Sequence, residues 1–204
     1  FAIKIPDALE SEYAGPLMCG GVTVFSPLRR FGVTKGSKVA VIGIGGLGHM
    51  ALQFANKLGA EVTAISTSND KKQEAESFGA HHFINSLEDA SFAKHQNKFD
   101  LILTTVFADM DWQALVNTLR SNGKLCFIGA PPKPAVINAF SLVMKQKSIT
   151  GSVIGSPAMI KDMLEFSAEH GVRPVIEKMP LKDVNLALQK VANNTVRYRM
   201  VLEI

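Results

Sequence analysis

Three glycines with the spacing G-x-G-x-x-G, at Gly43, Gly45 and Gly48, follow directly on a short apolar run at residues 39–42. Such a spacing suits pyrophosphate binding. The first glycine makes a tight turn, the second lets backbone N–H groups approach the anion, and the third lets the next helix pack closely on the strand. Glycine clusters also occur in plain turns, so the spacing alone leaves both interpretations open. The predicted phosphate site also includes Ile44, Gly46 and Leu47.

Hydroxyl and ammonium groups follow the next predicted strand, at residues 61–66. In sites that bind NAD, an Asp or Glu about 20 residues past the glycines accepts hydrogen bonds from the ribose hydroxyls. Here residues 66–71 read S-T-S-N-D-K, and these donors suit a phosphate monoester, which a carboxylate would repel. We therefore predict NADP, with Lys71 as the charge partner and Ser66, Thr67 and Ser68 as donors. The alternative is that Asn69 and Asp70 only cap the helix that follows.

The two cysteines and five histidines are further candidates for metal or nucleophilic chemistry. So few cysteines argue against a disulfide framework and favour a reducing, cytoplasmic compartment. From the residues alone, Cys19 and Cys126 are interpreted as buried thiols. The adjacent side chains of His81 and His82 point apart, so no metal site is predicted there. His49 opens the helix after the glycine turn, and we expect it near the pyrophosphate or capping the turn.

The elements that must position these groups alternate along the chain. Hydrophobic patterning predicts strands at residues 39–42, 61–66, 82–84, 99–106, 124–129, 148–153, 175–179 and 198–204. It predicts helices at residues 49–58, 71–78, 87–95, 111–119, 140–144, 158–169 and 184–191, and an interrupted helix at 8–26 that breaks at Gly15 and Pro16. This alternation indicates an α/β fold, a doubly wound parallel Rossmann sheet with helices on both faces.

The composition excludes several classes of protein. With 204 residues, 47% of them hydrophobic and 20% charged, the chain is typical of a globular protein. Its net charge of +4 comes from scattered Lys and Arg, so no nucleic-acid partner is expected. No apolar stretch approaches the length of a membrane span. The chain opens with Phe1 and lacks the order of a signal peptide, so we expect it to begin partway through a longer protein.

Taken together, these motifs resemble a known family, the zinc-dependent medium-chain alcohol dehydrogenases, and within it the cinnamyl-alcohol-dehydrogenase-like aldehyde reductases. The resemblance covers essentially the whole chain, and the combination of motifs is more specific than any one of them. It rests on residues 14–23 (AGPLMCGGVT), 43–49 (GIGGLGH), 66–72 (STSNDKK), 151–156 (GSVIGS) and 196–199 (VRYR).

The resemblance implies roles for individual residues. The cysteine at Cys19 is expected to be a ligand of a catalytic zinc, and Thr23 is expected beside the nicotinamide end of the cofactor. Further cofactor contacts are implied for Thr105, Gly129, Ser152, Val153 and Ile154. The implied reaction transfers hydride between NADPH and a small-molecule aldehyde or alcohol, with zinc polarising the carbonyl oxygen. A homodimer through the sheet edge near residues 148–154 is also implied.

The resemblance also divides the chain into three parts. Residues 1–19 are expected to end a catalytic domain, residues 20–151 to form the NADP-binding domain, and residues 152–204 to return to an incomplete, GroES-like catalytic domain. The other zinc ligands belong to an N-terminal half that this sequence does not contain, so we expect the isolated chain to be inactive. Two alternatives remain open, a zinc-free quinone or enoyl reductase and a non-catalytic NADP-binding module.

Overall fold

In the computed structural model, which describes residues 2–88 and 92–204, six strands form one sheet in the order β3-β2-β1-β4-β5-β6. The strands are β1 (Lys38–Ile42), β2 (Glu61–Ser66), β3 (His82–Asn85), β4 (Phe99–Thr104), β5 (Leu119–Phe127) and β6 (Ser148–Gly151). Every neighbouring pair is parallel. The strand order reverses between β1 and β4, and open sheets of this kind bind ligands in the crevice at such a reversal. The predicted Rossmann sheet is confirmed.

Helices cover both faces of this sheet. They are α1 (Ser11–Pro16), α2 (Val22–Arg30), α3 (Gly48–Lys57), α4 (Lys72–Ser77), α5 (Trp112–Thr118) and α6 (Ala139–Val143). Because successive side chains of a strand point to opposite faces, Leu103 joins a core with Phe25 and Phe54, while Ile102 joins a second core with Trp112. Strand β5 begins at Leu119, earlier than the predicted residue 124, with a register shift against β4 between Phe99 and Leu101.

The N-terminal helix is not interrupted where the sequence predicts a break. A π-helical turn at Leu17–Gly21 joins α1 directly to α2, and both Pro16 and Pro27 lie inside helical segments. Each proline removes one backbone donor. The side chains of Leu17, Val22 and Phe25 are fully buried, and this burial outweighs the lost hydrogen bonds. Insertion of a π turn is a common way for a helix to absorb such an irregularity.

The helix predicted at residues 87–95 is also wrong where the structure describes it. Residues 87 and 88 form a turn, and a single 3₁₀ turn occupies Ala93–His95. The rest of that prediction, residues 89–91, lies outside the described residues. The sequence of residues 87–95 is largely polar and has no continuous apolar stripe, which weakens the case for a helix there.

The C-terminal part adds α7 (Pro157–His170), β7 (Ile176–Pro180), α8 (Val184–Ala192) and β8 (Arg199–Glu203). Strands β7 and β8 form a separate parallel pair. Helix α7 packs on α2, with the Phe166 and Phe25 rings 5.3 Å apart. Among the described residues, none of the helices is both long and apolar enough to cross a bilayer. The division at residues 19/20 and 151/152 stays a prediction, and the first boundary falls inside the continuous helix.

Candidate cofactor site

A cleft of about 830 Å³ opens at the carboxyl ends of the central strands. Its wall is formed by residues 42–47 after β1, 65–67 after β2, 86–88 after β3, and Thr105, Val106 and 108–111 after β4. Phe92, Ala93 and Ala114 complete it. The predicted glycine turn and the hydroxyl-rich segment therefore line one cavity. The segments after β3 and at 108–111 were not predicted as part of the site, because strand ends so far apart in sequence meet only in the folded sheet.

Close packing explains two of the three glycines in the turn. Gly43 has a φ of +87°, and a Cβ there would lie 2.4 Å from Val106 Cγ1. At Gly48, which begins α3, a Cβ would lie 1.8 Å from the carbonyl oxygen of Gly43. Any larger residue would therefore push the helix away from the strand end.

Gly45 has a different environment, because a Cβ built on it meets no atom within 4 Å. Its exposed backbone faces open space beside the first turn of α3. The first N–H groups of a helix have no intrahelical partners, and the helix dipole favours an anion there. The turn therefore combines a rigid fold at Gly43 and Gly48 with an open backbone at Gly45, which is the geometry that a pyrophosphate requires.

The segment after β2 presents two hydroxyl side chains to the cleft. Ser66 and Thr67 line it directly. Ser68 caps the 3₁₀ turn Asn69–Lys71, since its Oγ accepts a hydrogen bond of 3.2 Å from the Asp70 backbone N–H. A serine hydroxyl that accepts one bond can still donate another. The alternative expected Asn69 and Asp70 to cap the helix, but the capping side chain is that of Ser68, and α4 has no side-chain cap. This capping does not exclude phosphate binding.

Lys71 does not line the cleft, and its ammonium turns toward the C-terminal segment. Its Nζ donates to the hydroxyl of Tyr198 over 3.2 Å and lies 3.7 Å from Glu74 Oε2. Burial, and next the charge of Arg197, lower the pKa of Lys71.

His49 is completely buried and joins the glycine turn to the C-terminal segment. Its Nδ1 lies 2.9 Å from the Gly45 carbonyl, and its Nε2 accepts a 3.1 Å hydrogen bond from the Val175 backbone N–H. Nε2 must therefore be unprotonated, and Nδ1 carries the proton that bonds to Gly45. Burial lowers the pKa of His49 to about 4. The neutral ring therefore caps the glycine turn, which is one of the two roles that the sequence predicts for His49.

Arg199 is a site residue that sequence reasoning did not single out. Its Nε donates to the Gly46 carbonyl over 2.9 Å. Its guanidinium packs so closely on Gly20 and Gly46 that a Cβ at either position would clash with it. Burial lowers its pKa, partly offset by the nearby Cys19. The sequence separates Arg199 from Gly46 by 153 residues, so spacing alone offers no signal for this contact.

The remaining predicted cofactor residues lie around the strand ends. Thr105 lines the cleft, and its hydroxyl donates to the Ile42 carbonyl over 2.9 Å. Gly129 follows β5, and its N–H bonds to the Thr104 carbonyl over 2.9 Å. Beyond β6, the Ser152 N–H bonds to the Phe127 carbonyl, while Val153 and Ile154 are exposed. Gly129 and residues 152–154 are outside the lining of the cleft.

Thr23 and Cys19 are held together by the N-terminal helix. The Thr23 hydroxyl donates to the Cys19 carbonyl over 2.7 Å, and the π turn leaves Cys19 exposed. A catalytic zinc needs three protein ligands. Within residues 2–88 and 92–204, no three His, Cys, Asp or Glu residues are grouped so that they could hold a metal ion. Cys19 alone therefore does not fit a complete zinc site.

Comparison with known proteins agrees with this architecture. The model of the zinc-binding dehydrogenase family matches residues 46–169, well over half of the chain. The protein named "Probable formaldehyde dehydrogenase AdhA" from Bacillus subtilis (strain 168) is 45% identical over 204 residues, which are 100% of this chain and 58% of the relative. The chain thus spans little more than half the length of this relative.

Two solved structures have the same fold. Cinnamyl alcohol dehydrogenase from Sorghum bicolor superimposes with a TM-score of 0.91 at 37% identity, covering 98% of this chain and 57% of that one. The enzyme designated CAD from Helicobacter pylori, solved in complex with NADP(H), gives a TM-score of 0.82 at 31% identity, covering 97% and 56%. With the family model matched over residues 46–169, from the end of the glycine turn into α7, the chain belongs to the zinc-binding dehydrogenase family.

Proposed function

We propose that this chain is the cofactor-binding portion of an NADP-dependent alcohol dehydrogenase, which interconverts an aldehyde and a primary alcohol. The observation that carries the proposal is the open backbone of Gly45 at the start of α3, inside the cleft. The names of the compared proteins, a formaldehyde dehydrogenase and a cinnamyl alcohol dehydrogenase, support the aldehyde and alcohol chemistry. The NADP(H) complex of the Helicobacter pylori enzyme supports the cofactor.

The residues present fit a dinucleotide. Residues 43–48 and the first turn of α3 would hold the pyrophosphate, with the guanidinium of Arg199 next to them. Ser66, Thr67, Ser68 and Lys71 would hold the 2′-phosphate. When bound, NADPH supplies the hydride. Thr23, Thr105, Gly129 and residues 152–154 are the proposed contacts toward its nicotinamide end.

The protein's own contribution is to fix and orient the cofactor. Thr105 ties the end of β4 to β1, and His49 ties the glycine turn to the Val175 backbone. These bonds hold the phosphate-binding backbone in one geometry before the cofactor arrives, which reduces the ordering cost of binding. No step is assigned to zinc, because the described residues provide no group of three ligands that includes Cys19. Cys19 is proposed as a single thiolate ligand in a polypeptide of the relatives' length.

The proposal extends to a homodimer formed through the edge of the sheet. Strand β6 pairs with β5 alone among the described strands. Exposed apolar side chains occur in β6 and in the chain segments before and after it, namely Phe140, Val143 and Met144 before it, Ile149 within it and Val153 after it. An edge strand with apolar neighbours is a suitable surface for pairing with a second copy. A cytoplasmic location is proposed from the free thiols of Cys19 and Cys126.

Substitution of Gly45 tests the cofactor site. Gly45→Val should fold normally, because a Cβ there meets no atom within 4 Å, yet it should weaken NADPH binding by about a hundredfold or more by covering the phosphate site. Urea unfolding followed by Trp112 fluorescence measures the folding of the variant, and calorimetry measures its affinity for NADPH. Gly15→Val is the matched control, since a Cβ at Gly15 also meets no atom within 4 Å, but Gly15 lies in α1 and is not part of the cleft lining. Undiminished NADPH affinity of Gly45→Val would refute the proposed site.

A further inference from the structure

Glu74 holds two cations together beside the segment that follows β2. A single carboxylate oxygen, Oε2, lies 3.7 Å from Lys71 Nζ and 3.3 Å from Arg197 Nη1. Lys71 ends the 3₁₀ turn after β2, Glu74 lies in α4, and Arg197 comes from the segment before β8. The three side chains therefore form a compact group with two positive charges and one negative charge.

Tyr198 forms the base of this group. Its side chain is buried, and the Lys71 ammonium lies 4.7 Å from the ring centroid while donating to the hydroxyl. The ring also stacks on His49, with centroids 4.7 Å apart and planes within 13°. Since His49 also bonds to Gly45, the cations are attached to the same rigid unit as the phosphate-binding turn.

Stability alone is a weak account of the arrangement. The side chains of Lys71, Glu74 and Arg197 are 25%, 30% and 53% exposed, so solvent partly screens both ion pairs and their contribution to folding is modest. Burial first, and then the charge of Arg197, lower the pKa of Lys71. Two neighbouring cations repel each other, so an anion between them stabilises the pair. Glu74 supplies one negative charge, and a phosphate monoester brings up to two, with three acceptor oxygens.

We propose that Lys71 and Arg197 together form the receptor for the 2′-phosphate of NADP, and that Glu74 is an internal competitor whose carboxylate occupies the cations in the free protein. This inference rests on the proposed function and adds two specificity-determining residues to it. Glu74 then sets the degree of discrimination between NADP and NAD, because the energy gained from the phosphate is reduced by the carboxylate that it must displace. Arg197 provides the planar, bidentate donor that Lys71 lacks.

Calorimetric binding of 2′,5′-ADP and 5′-AMP, which differ only in the 2′-phosphate, tests the inference. Glu74→Gln should bind 2′,5′-ADP about tenfold more tightly than the wild type, and Arg197→Gln about tenfold more weakly, as expected for one charge at ion-pair distance near a surface. The affinity for 5′-AMP should not change in either variant. Glu76→Gln is the matched control, because it removes the same charge from an exposed position of the same helix.

The outcomes separate this inference from the proposed function. Unchanged or weaker binding of 2′,5′-ADP to Glu74→Gln would overturn the role of Glu74 as competitor, and unchanged binding to Arg197→Gln would overturn the two-cation receptor. Equal gains in Glu74→Gln and Glu76→Gln would mean that only net charge matters, which also overturns it. A wild type that binds 2′,5′-ADP no better than 5′-AMP would instead refute the proposed NADP preference itself.

Discussion

Acid should destabilise this protein through His49 before its carboxylates are protonated. The ring is fully buried, and burial lowers its pKa to about 4 from an ordinary value of 6.5. The unfolded chain therefore binds a proton that the folded chain excludes. The stability linked to His49 is complete above pH 6.5 and is lost as the pH falls from about 6.5 to about 4.

The two pKa values give the size of the effect. Relative to pH 7.5, the free energy of unfolding should fall by about 2 kcal/mol at pH 5 and by about 3 kcal/mol at pH 4. This is a large fraction of the stability of a typical domain. The lowered pKa values of Glu10 and Glu61 act in a lower range of pH, because their ordinary value is 4.5. Burial also lowers the pKa of His95, which acts in the same range of pH as His49. The larger shift belongs to His49, so the slope between pH 6.5 and pH 5 reports mainly on His49.

Urea unfolding followed by the fluorescence of Trp112, the single tryptophan, measures this slope. His49→Asn keeps a donor for the Gly45 carbonyl but cannot take up a proton. It leaves the Val175 N–H without its acceptor, so it should be about 1–2 kcal/mol less stable at pH 7.5. Its stability should be nearly constant down to pH 5. His95→Asn is the control at a partly exposed histidine whose pKa burial also lowers, and it should lose only a small part of the wild-type slope. A full wild-type slope retained by His49→Asn would refute the reasoning.

Three further outcomes follow from the cofactor site and the sheet edge. Lys71→Ala should weaken NADPH binding about tenfold and leave NADH binding unchanged, as measured by calorimetry, because only NADPH carries the 2′-phosphate; equal losses for both would remove the case for NADP. Ile149→Lys, on the exposed edge strand β6, should convert a dimer to a monomer in sedimentation equilibrium while the far-UV circular dichroism stays unchanged, and a dimer retained by this variant would contradict the proposed interface. The 204-residue chain should show no NADPH oxidation with a panel of aldehydes, even with added zinc. The reason is that the described residues hold no group of three His, Cys, Asp or Glu side chains able to bind the metal. Zinc-dependent turnover would contradict this.

The fold could be predicted in detail because its signals are local. Strand β2 occupies the predicted residues 61–66, and β1 and α3 differ from prediction by single residues at their ends. Buried parallel strands are short apolar runs, and glycine marks the turn between β1 and α3. The break predicted at Gly15 and Pro16 was wrong because local propensity does not register the burial of Leu17, Val22 and Phe25.

The candidate site was predictable only in part. Residues 43–47, Ser66 and Thr67 line the cleft as the motif suggests. The contacts of Lys71 could not be foreseen, because its partner Tyr198 lies 127 residues away. The sequence also offered no signal for Arg199 at Gly46 or for the bond from Val175 to His49. These interactions join segments that are far apart in sequence and come together only when the chain folds.

These long-range contacts change how the glycine turn is understood. The C-terminal segment touches the turn at two places, through Val175 to His49 and through Arg199 to Gly46. The carbonyls of Gly45 and Gly46 both accept hydrogen bonds from these groups, so the turn is held on its inner side while Gly45 stays open to the cleft. A phosphate-binding loop alone would carry the ordering cost at each binding event. Here residues 175–199, which lie outside the sheet, fix the loop in advance, and the cofactor site belongs to both parts of the chain.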